Sequence, residues 1–154
     1  MKRLCNTVIA ALVIAAGGAQ ADESKVPPTV RDAFAKAYPQ AVDAEFETET
    51  RNGKTVYEVE FRNQGQEMEA LFSPEGALLR TETEVAVDSL PDPVKKALAA
   101  AHPTARIKEA ERLMKPDGTV FGYEVELKDG KRETTVELDG DGKIVSTEAE
   151  SEDD

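Results

Sequence analysis

Cysteine, histidine and tryptophan are almost missing from this chain of 154 residues, which holds one, one and none. The single cysteine, Cys5, stands in the first residues, among Lys2, Arg3, the apolar run Thr7 to Ala16 and the small-residue triplet Ala19-Gln20-Ala21. That order, positive start, short apolar stretch and A-x-A site, is the layout of a secretory signal peptide cut before Asp22. The apolar run is ten residues, against roughly 20 for a membrane-spanning helix, so no membrane insertion is expected after cleavage. Cys5 precedes the run instead of following it, which argues against a lipid anchor. The mature chain then has no thiol. It can form neither a disulfide nor a thiolate metal site, and a Cys–His catalytic pair is excluded. Basic residues are scarce as well: without Lys2 and Arg3 the chain carries 17 against 31 acidic, a net charge of −14. Nucleic acid and anionic lipid need basic surface, so they are excluded as partners, and a cationic protein or peptide is favoured.

What is present is said nearly twice. VPPTVRDAFAKAYPQA from Val26 is answered by LPDPVKKALAAAHPTA from Leu90, and VYEVEF (Val56 to Phe61) by GYEVEL (Gly122 to Leu127). FSPEGALLRTE from Phe72 is answered by LDGDGKIVSTE from Leu138. Self-similarity at a fixed spacing decides architecture before any local reading. The expected organisation is a signal peptide at 1–21, one repeat at 22–85, a second at 86–148 and an acidic tail at 149–154. Units of about 60 residues bury little of their surface and are marginal alone, so the two cores are expected to be shared or to abut.

Each repeat opens with one helical stripe. Val30, Ala33, Phe34, Ala37 and Tyr38, and then Val94, Ala97, Leu98, Ala101 and His102, recur at i, i+3, i+4, i+7 and i+8. That is the apolar face of an amphipathic helix. Pro39 and Pro103 end the two helices, because proline cannot continue the ladder. The period then falls to two. Tyr57, Val59 and Phe61 alternate with Glu58 and Glu60, and Tyr123, Val125 and Leu127 alternate with Glu124 and Glu126, as in strands with one buried face. Asn-Gly and Asp-Gly dipeptides between the runs supply the positive φ of tight hairpins. The spacing predicts strands at 42–51, 55–63, 66–73 and 77–85, then at 105–115, 119–128, 131–139 and 143–148. The fold class is α+β: two tandem repeats, each a short helix packed on a four-stranded antiparallel sheet. The face opposite the helices becomes a field of glutamates.

Candidate chemistry is sparse. A Ser–His–Asp triad would rest on His102, but the other copy places Tyr38 there, so a packing position with a polar tip is expected. Residues 137–148 match the spacing of a calcium-binding EF-hand loop, with Asp139, Asp141 and Glu148 as candidate ligands. The flanking sequence has strand character, and the other copy keeps only the turn glycine, Gly76. No catalytic residue and no cofactor is expected. The glutamate face reads either as solvated surface or as a docking surface, with Glu58, Glu60, Glu124 and Glu126 as partner-binding candidates. Phe121 joins them, next to the turn at Pro116 to Gly118.

The pattern P-x-x-V-x-x-A-[FL] ending in [YH]-P-x-A, followed by Y-E-V-E-[FL] and a glycine hairpin, resembles the PepSY-like domain. Within it, the pattern is most similar to the β-lactamase-inhibitor-like, PepSY-like proteins, over residues 26 to 148. The resemblance implies a periplasmic or secreted protein with a helix on a four-stranded sheet, and a non-enzymatic binding role of protease-regulatory or inhibitor-like kind. The alternative is a divalent-cation binding or buffering protein that uses the Asp/Gly hairpins.

Overall fold

The computed structural model describes residues 26–51 and 53–151. The signal-peptide reading of residues 1–21 lies outside them. Helix α1 (Pro28–Ala37) precedes strands β1 (Val42–Arg51), β2 (Lys54–Asn63), β3 (Gln66–Phe72) and β4 (Leu78–Glu84). After a short 3₁₀ turn, Val87–Ser89, helix α2 (Asp92–Ala101) precedes β5 (Arg106–Met114), β6 (Val120–Asp129), β7 (Arg132–Asp139) and β8 (Ile144–Ser151). Boundaries lie within a residue or two of those expected, except that β8 runs to Ser151, three residues past 148.

The strands do not form two sheets. They make one eight-stranded antiparallel sheet in chain order, because β4 pairs with β5 from Thr81 opposite Met114 to Glu84 opposite Glu111. A free four-stranded meander would leave β4 and β5 as open edges, which invite association with other chains. Pairing them removes both edges.

The helices are local products of their sequences. Each has proline in its first turn, where the missing N–H is cheapest, and each ends on a residue of the same conformation. Tyr38 has φ −128° and ψ 67°, and its N–H donates to Phe34 O at 2.8 Å. His102 has φ −132° and ψ 65°, and its N–H donates to Leu98 O at 2.8 Å. Val30 and Phe34 of α1, and Val94 and Leu98 of α2, are buried on one face of the sheet.

Two cores result, and they are not shared. The first centres on Phe34, whose ring lies 5.0 Å from Phe61 and 5.5 Å from Phe46, both edge-on. The second is aliphatic: Val94, Leu98, Val125, Leu127, Val136 and Leu138. On the helix side of the strands that join them stand buried threonines, Thr81 and Thr83, the latter opposite Arg112. This polar seam keeps the clusters separate, so of the two expected arrangements, shared or abutting cores, the shared one is not found, and a common sheet joins the halves.

The sheet curls strongly. Arg80 on β4 donates to Glu137 on β7 at 3.4 Å, and Arg51 on β1 lies 3.8 Å from Glu82 on β4. Each pair spans three strand spacings, about 14 Å on a flat sheet, where side chains stand roughly perpendicular to the sheet and would not converge. The face opposite the helices is therefore concave.

Candidate functional site: a carboxylate basin on the concave face

Alternation along every strand sends glutamates to the concave side, and register sets them against each other. Glu47 faces Glu58, Glu60 faces Glu69, Glu69 faces Glu82, and Glu111 faces Glu124. Like charges directly opposite one another weaken a sheet. The curvature then takes them out of water. Glu58 is 0%, Glu82 1% and Glu69 6% exposed, and apolar Val56, Leu71 and Leu113, buried on the same side by alternation, floor the basin.

Two arginines partly compensate the charge. Arg51 donates to Glu49 at 2.6 Å and to Glu58 at 2.7 Å. Arg80 donates to Glu82 at 2.7 Å and reaches Glu124 and Glu137 at 3.4 Å each. Toward the second half, Lys108 bonds Glu126 at 2.6 Å and Glu133 at 3.3 Å, and Lys128 also bonds Glu133. None of these ion pairs engages Glu69 or Glu111. One carboxylate oxygen each of Glu69, Glu82 and Glu111 lies within 4.8 Å of the other two. Two oxygens of this face, Glu58 Oε1 and Glu82 Oε2, are buried without a hydrogen-bond partner.

Desolvation and mutual repulsion hold protons on these groups. Burial, reinforced by Glu111, Glu58 and Glu82, pushes the Glu69 carboxyl up to about 11. Burial and then Glu82 push Glu111 up to about 9. Glu58 rises to about 8 through burial and Glu49, in spite of Arg51. Glu60 and Glu124 rise to about 7, burial again being the largest cause. Burial and like charge therefore outweigh the two arginines over this face.

The residues singled out from sequence fall in three places. Glu58, Glu60, Glu124 and Glu126 all line the concave face, yet Glu58 is its floor and is already bonded to Arg51, while Glu60, Glu124 and Glu126 are half-buried. Phe121 is half-buried and shares the alternation of Tyr123 and Val125, the helix side, so it stands apart from them. Asp139 and Asp141 sit in the β7–β8 hairpin, where Asp139 Oδ1 accepts the N–H groups of Asp141 and Lys143 at 3.0 and 2.9 Å. Glu148 pairs with Thr135 along β8, and strands, not helices, flank this loop. His102 closes α2 as Tyr38 closes α1. Sequence reasoning missed Glu69, Glu82 and Glu111 as a group. The signal was there in Val56, Leu71 and Leu113, apolar residues at the parity of the glutamates, which mark that face as buried.

With this geometry in view, the chain can be placed among known proteins. Residues 56–146 match the family described as "Putative beta-lactamase-inhibitor-like, PepSY-like". The chain belongs to that family. Residues 29–75 also match the model described as peptidase propeptide and YPEB domain. Among curated proteins, none matches the chain. Solved structures share the fold of this PepSY-like protein. A Bacteroides eggerthii protein described as "putative periplasmic" is 16% identical with a TM-score of 0.63, over 80% of this chain and 88% of that one. A BLIP-like protein from Bacteroides fragilis is 22% identical with a TM-score of 0.58, over 86% and 94%. A DUF2874 family protein from Bacteroides ovatus is 19% identical with a TM-score of 0.61, over 82% and 92%. No helix among the described residues is long and apolar enough to cross a membrane.

Proposed function

We propose that this PepSY-like chain is an exported, non-enzymatic binding module, periplasmic or secreted, that holds a cationic protein or peptide on its concave face. The observation that carries the reading is the row of glutamates set opposite glutamates across strands β1 to β6. A sheet whose only task was to fold would gain stability by breaking those pairs, and electrostatic complementarity to a basic partner gives them a use. The inhibitor-like and propeptide descriptions of the matching families support an enzyme, a protease or a β-lactamase, as the class of partner. We read residues 22–85 and 86–148 as tandem copies, with the basin at their junction. The hairpin alternative for cation binding has one Asp139 oxygen already committed to backbone N–H groups, and it is not favoured.

Affinity capture with the mature chain tests this. A basic partner should be recovered from the exported fraction and released by salt, since exposed charges are screened beyond about 8 Å at physiological ionic strength. The exposed glutamates Glu45 and Glu47, with half-buried Glu60, are the ones to reverse to lysine, because Glu58→Lys would test folding instead. A partner that binds all three reversals as tightly as the parent removes the acidic-face reading.

A further inference from the structure

We propose that Glu69, Glu82 and Glu111 form a binding site for one calcium-sized divalent cation at the centre of the concave face. The three residues come from adjacent strands, β3, β4 and β5. Glu69 and Glu82 are register partners, and Glu111 pairs with Glu84, one step along the same face from Glu82. Backbone pairing therefore fixes where the three carboxylates start, and the separation of their oxygens, none more than 4.8 Å, follows from it.

The second observation is independent of the clustering. Glu82 is 1% exposed; its Oε1 accepts from Arg80, and its Oε2 has no hydrogen-bond partner. A buried acceptor without a donor costs free energy that only a donor or a cation can return. None of the ion pairs named above engages Glu69 or Glu111, and the only donor that reaches Glu82 from the cluster is a proton it shares with Glu111, which a cation would replace. Glu58 Oε1 is a second buried oxygen left without a partner on this face.

Chemistry and size select the ion. An all-carboxylate donor set suits hard cations and gives nothing to the softer transition metals. Oxygens all within 4.8 Å of one another are close enough for one ion. Three carboxylates suit calcium, which takes several in flexible geometry, better than magnesium, which keeps most of its waters and takes one or two. Three carboxylates, one divalent ion and the Arg80 guanidinium on Glu82 together sum to zero charge. A carboxylate must be deprotonated to bind a metal ion, so affinity should rise with pH.

This inference does not rest on the docking proposal, and calcium alone is the probe. The full mature chain is titrated with calcium chloride near pH 9, by calorimetry and by thermal unfolding, beside Glu69→Gln, Glu82→Gln, Glu111→Gln and Asp139→Asn. One calcium per chain is expected, with a raised Tm reversed by chelation and binding weaker near pH 6. Each glutamine variant should bind about tenfold or more weakly, the scale on which even outer contacts of a metal site act. Those variants should stay folded and, without calcium, be at least as stable as the parent. Asp139→Asn should bind like the parent. No heat and no Tm shift at about 10 mM calcium, above the weak end of the extracellular range, overturns the site. So does binding lost in Asp139→Asn and kept in the glutamine variants. Neither result bears on capture of a basic partner, which is measured without calcium.

Discussion

Gly142 rests against the backbone of Pro93: a Cβ on that glycine would stand 2.4 Å from the Pro93 carbonyl oxygen. Gly76 holds the same place in the first half, where a Cβ would stand 2.6 Å from Thr29 O. Each hairpin that closes a group of four strands is thus pressed against the first turn of its helix, and both glycines have positive φ, 84° and 82°.

Alanine at either position meets two obstacles, the left-handed backbone and the helix carbonyl. A left-handed non-glycine residue costs roughly 1–2 kcal/mol, and overpacking adds about 1–3 kcal/mol. Gly142→Ala and Gly76→Ala should each lose about 2–5 kcal/mol in urea unfolding. Gly118 has the same φ sign, at 83°, with nothing within 4 Å of the added carbon. Gly118→Ala should therefore lose only the backbone part, about 1–2 kcal/mol. Equal losses at all three positions would mean that the hairpin–helix contact contributes nothing.

The basin reverses the usual pH dependence. Glu58, Glu111, Glu60 and Glu124 have folded values near 8, 9, 7 and 7, above their ordinary 4.5. Between those limits the folded chain holds protons that the unfolded chain has released, so stability falls as pH rises. Glu133 acts in the opposite sense: Lys128 holds it down to about 2, a contribution present above about 4.5 and lost in stronger acid. In chelator, the urea midpoint should decline from about pH 5 to about pH 9, and Glu69→Gln should flatten the decline. A midpoint that climbs over that range would show that the carboxyls are ionised in the folded protein.

The periodicity made the elements legible, and it could not tell which face is wet. Val59 and Glu58 alternate in sequence whether the sheet is flat or curled, and only curvature decides that Glu58 is as dry as Val59. Curvature is a property of eight strands acting together, so no window of sequence shows it. The pairing of β4 with β5 was hidden for a related reason. Thr81 to Glu84 reads like the close of one unit, and its partner lies beyond a whole helix. The repeat did identify the local features that each half builds alone: the stripe of Val30 and Phe34, the cap at Tyr38 and His102, and the turn at Gly76 and Gly142. Val56, Leu71 and Leu113, apolar among glutamates, were the one local trace of the basin.

Arg80 should matter far more than a surface lysine with as many ion pairs. It is mostly buried and bonds Glu82, Glu124 and Glu137. Removing one partner of a buried pair leaves uncompensated charge, at a cost of about 3–5 kcal/mol. Arg80→Met should approach that loss near pH 8 and lose less near pH 5, where the glutamates take up protons. Lys108 pairs with Glu126 and Glu133 nearer the surface, and Lys108→Met should cost at most about 1 kcal/mol. Similar losses for the two variants would contradict the burial of the Arg80 network.

The separateness of the two cores has its own test in Val30 and Val94. Both are fully buried, and each belongs to a different cluster. Truncating either to alanine removes two methyl groups, about 1.6 kcal/mol of transfer free energy at about 0.8 each, with a further cost for the cavity. Across the seam of Thr81 and Thr83 the two holes have no common neighbour through which to relax. The double variant Val30→Ala/Val94→Ala should therefore lose the sum of the single losses to within about 0.5 kcal/mol. It should still unfold in one transition, because the β4–β5 ladder ties the halves together. An interaction energy well above that margin would mean that the cores are coupled through the seam. Two resolved transitions would mean that the shared sheet is too weak to join them.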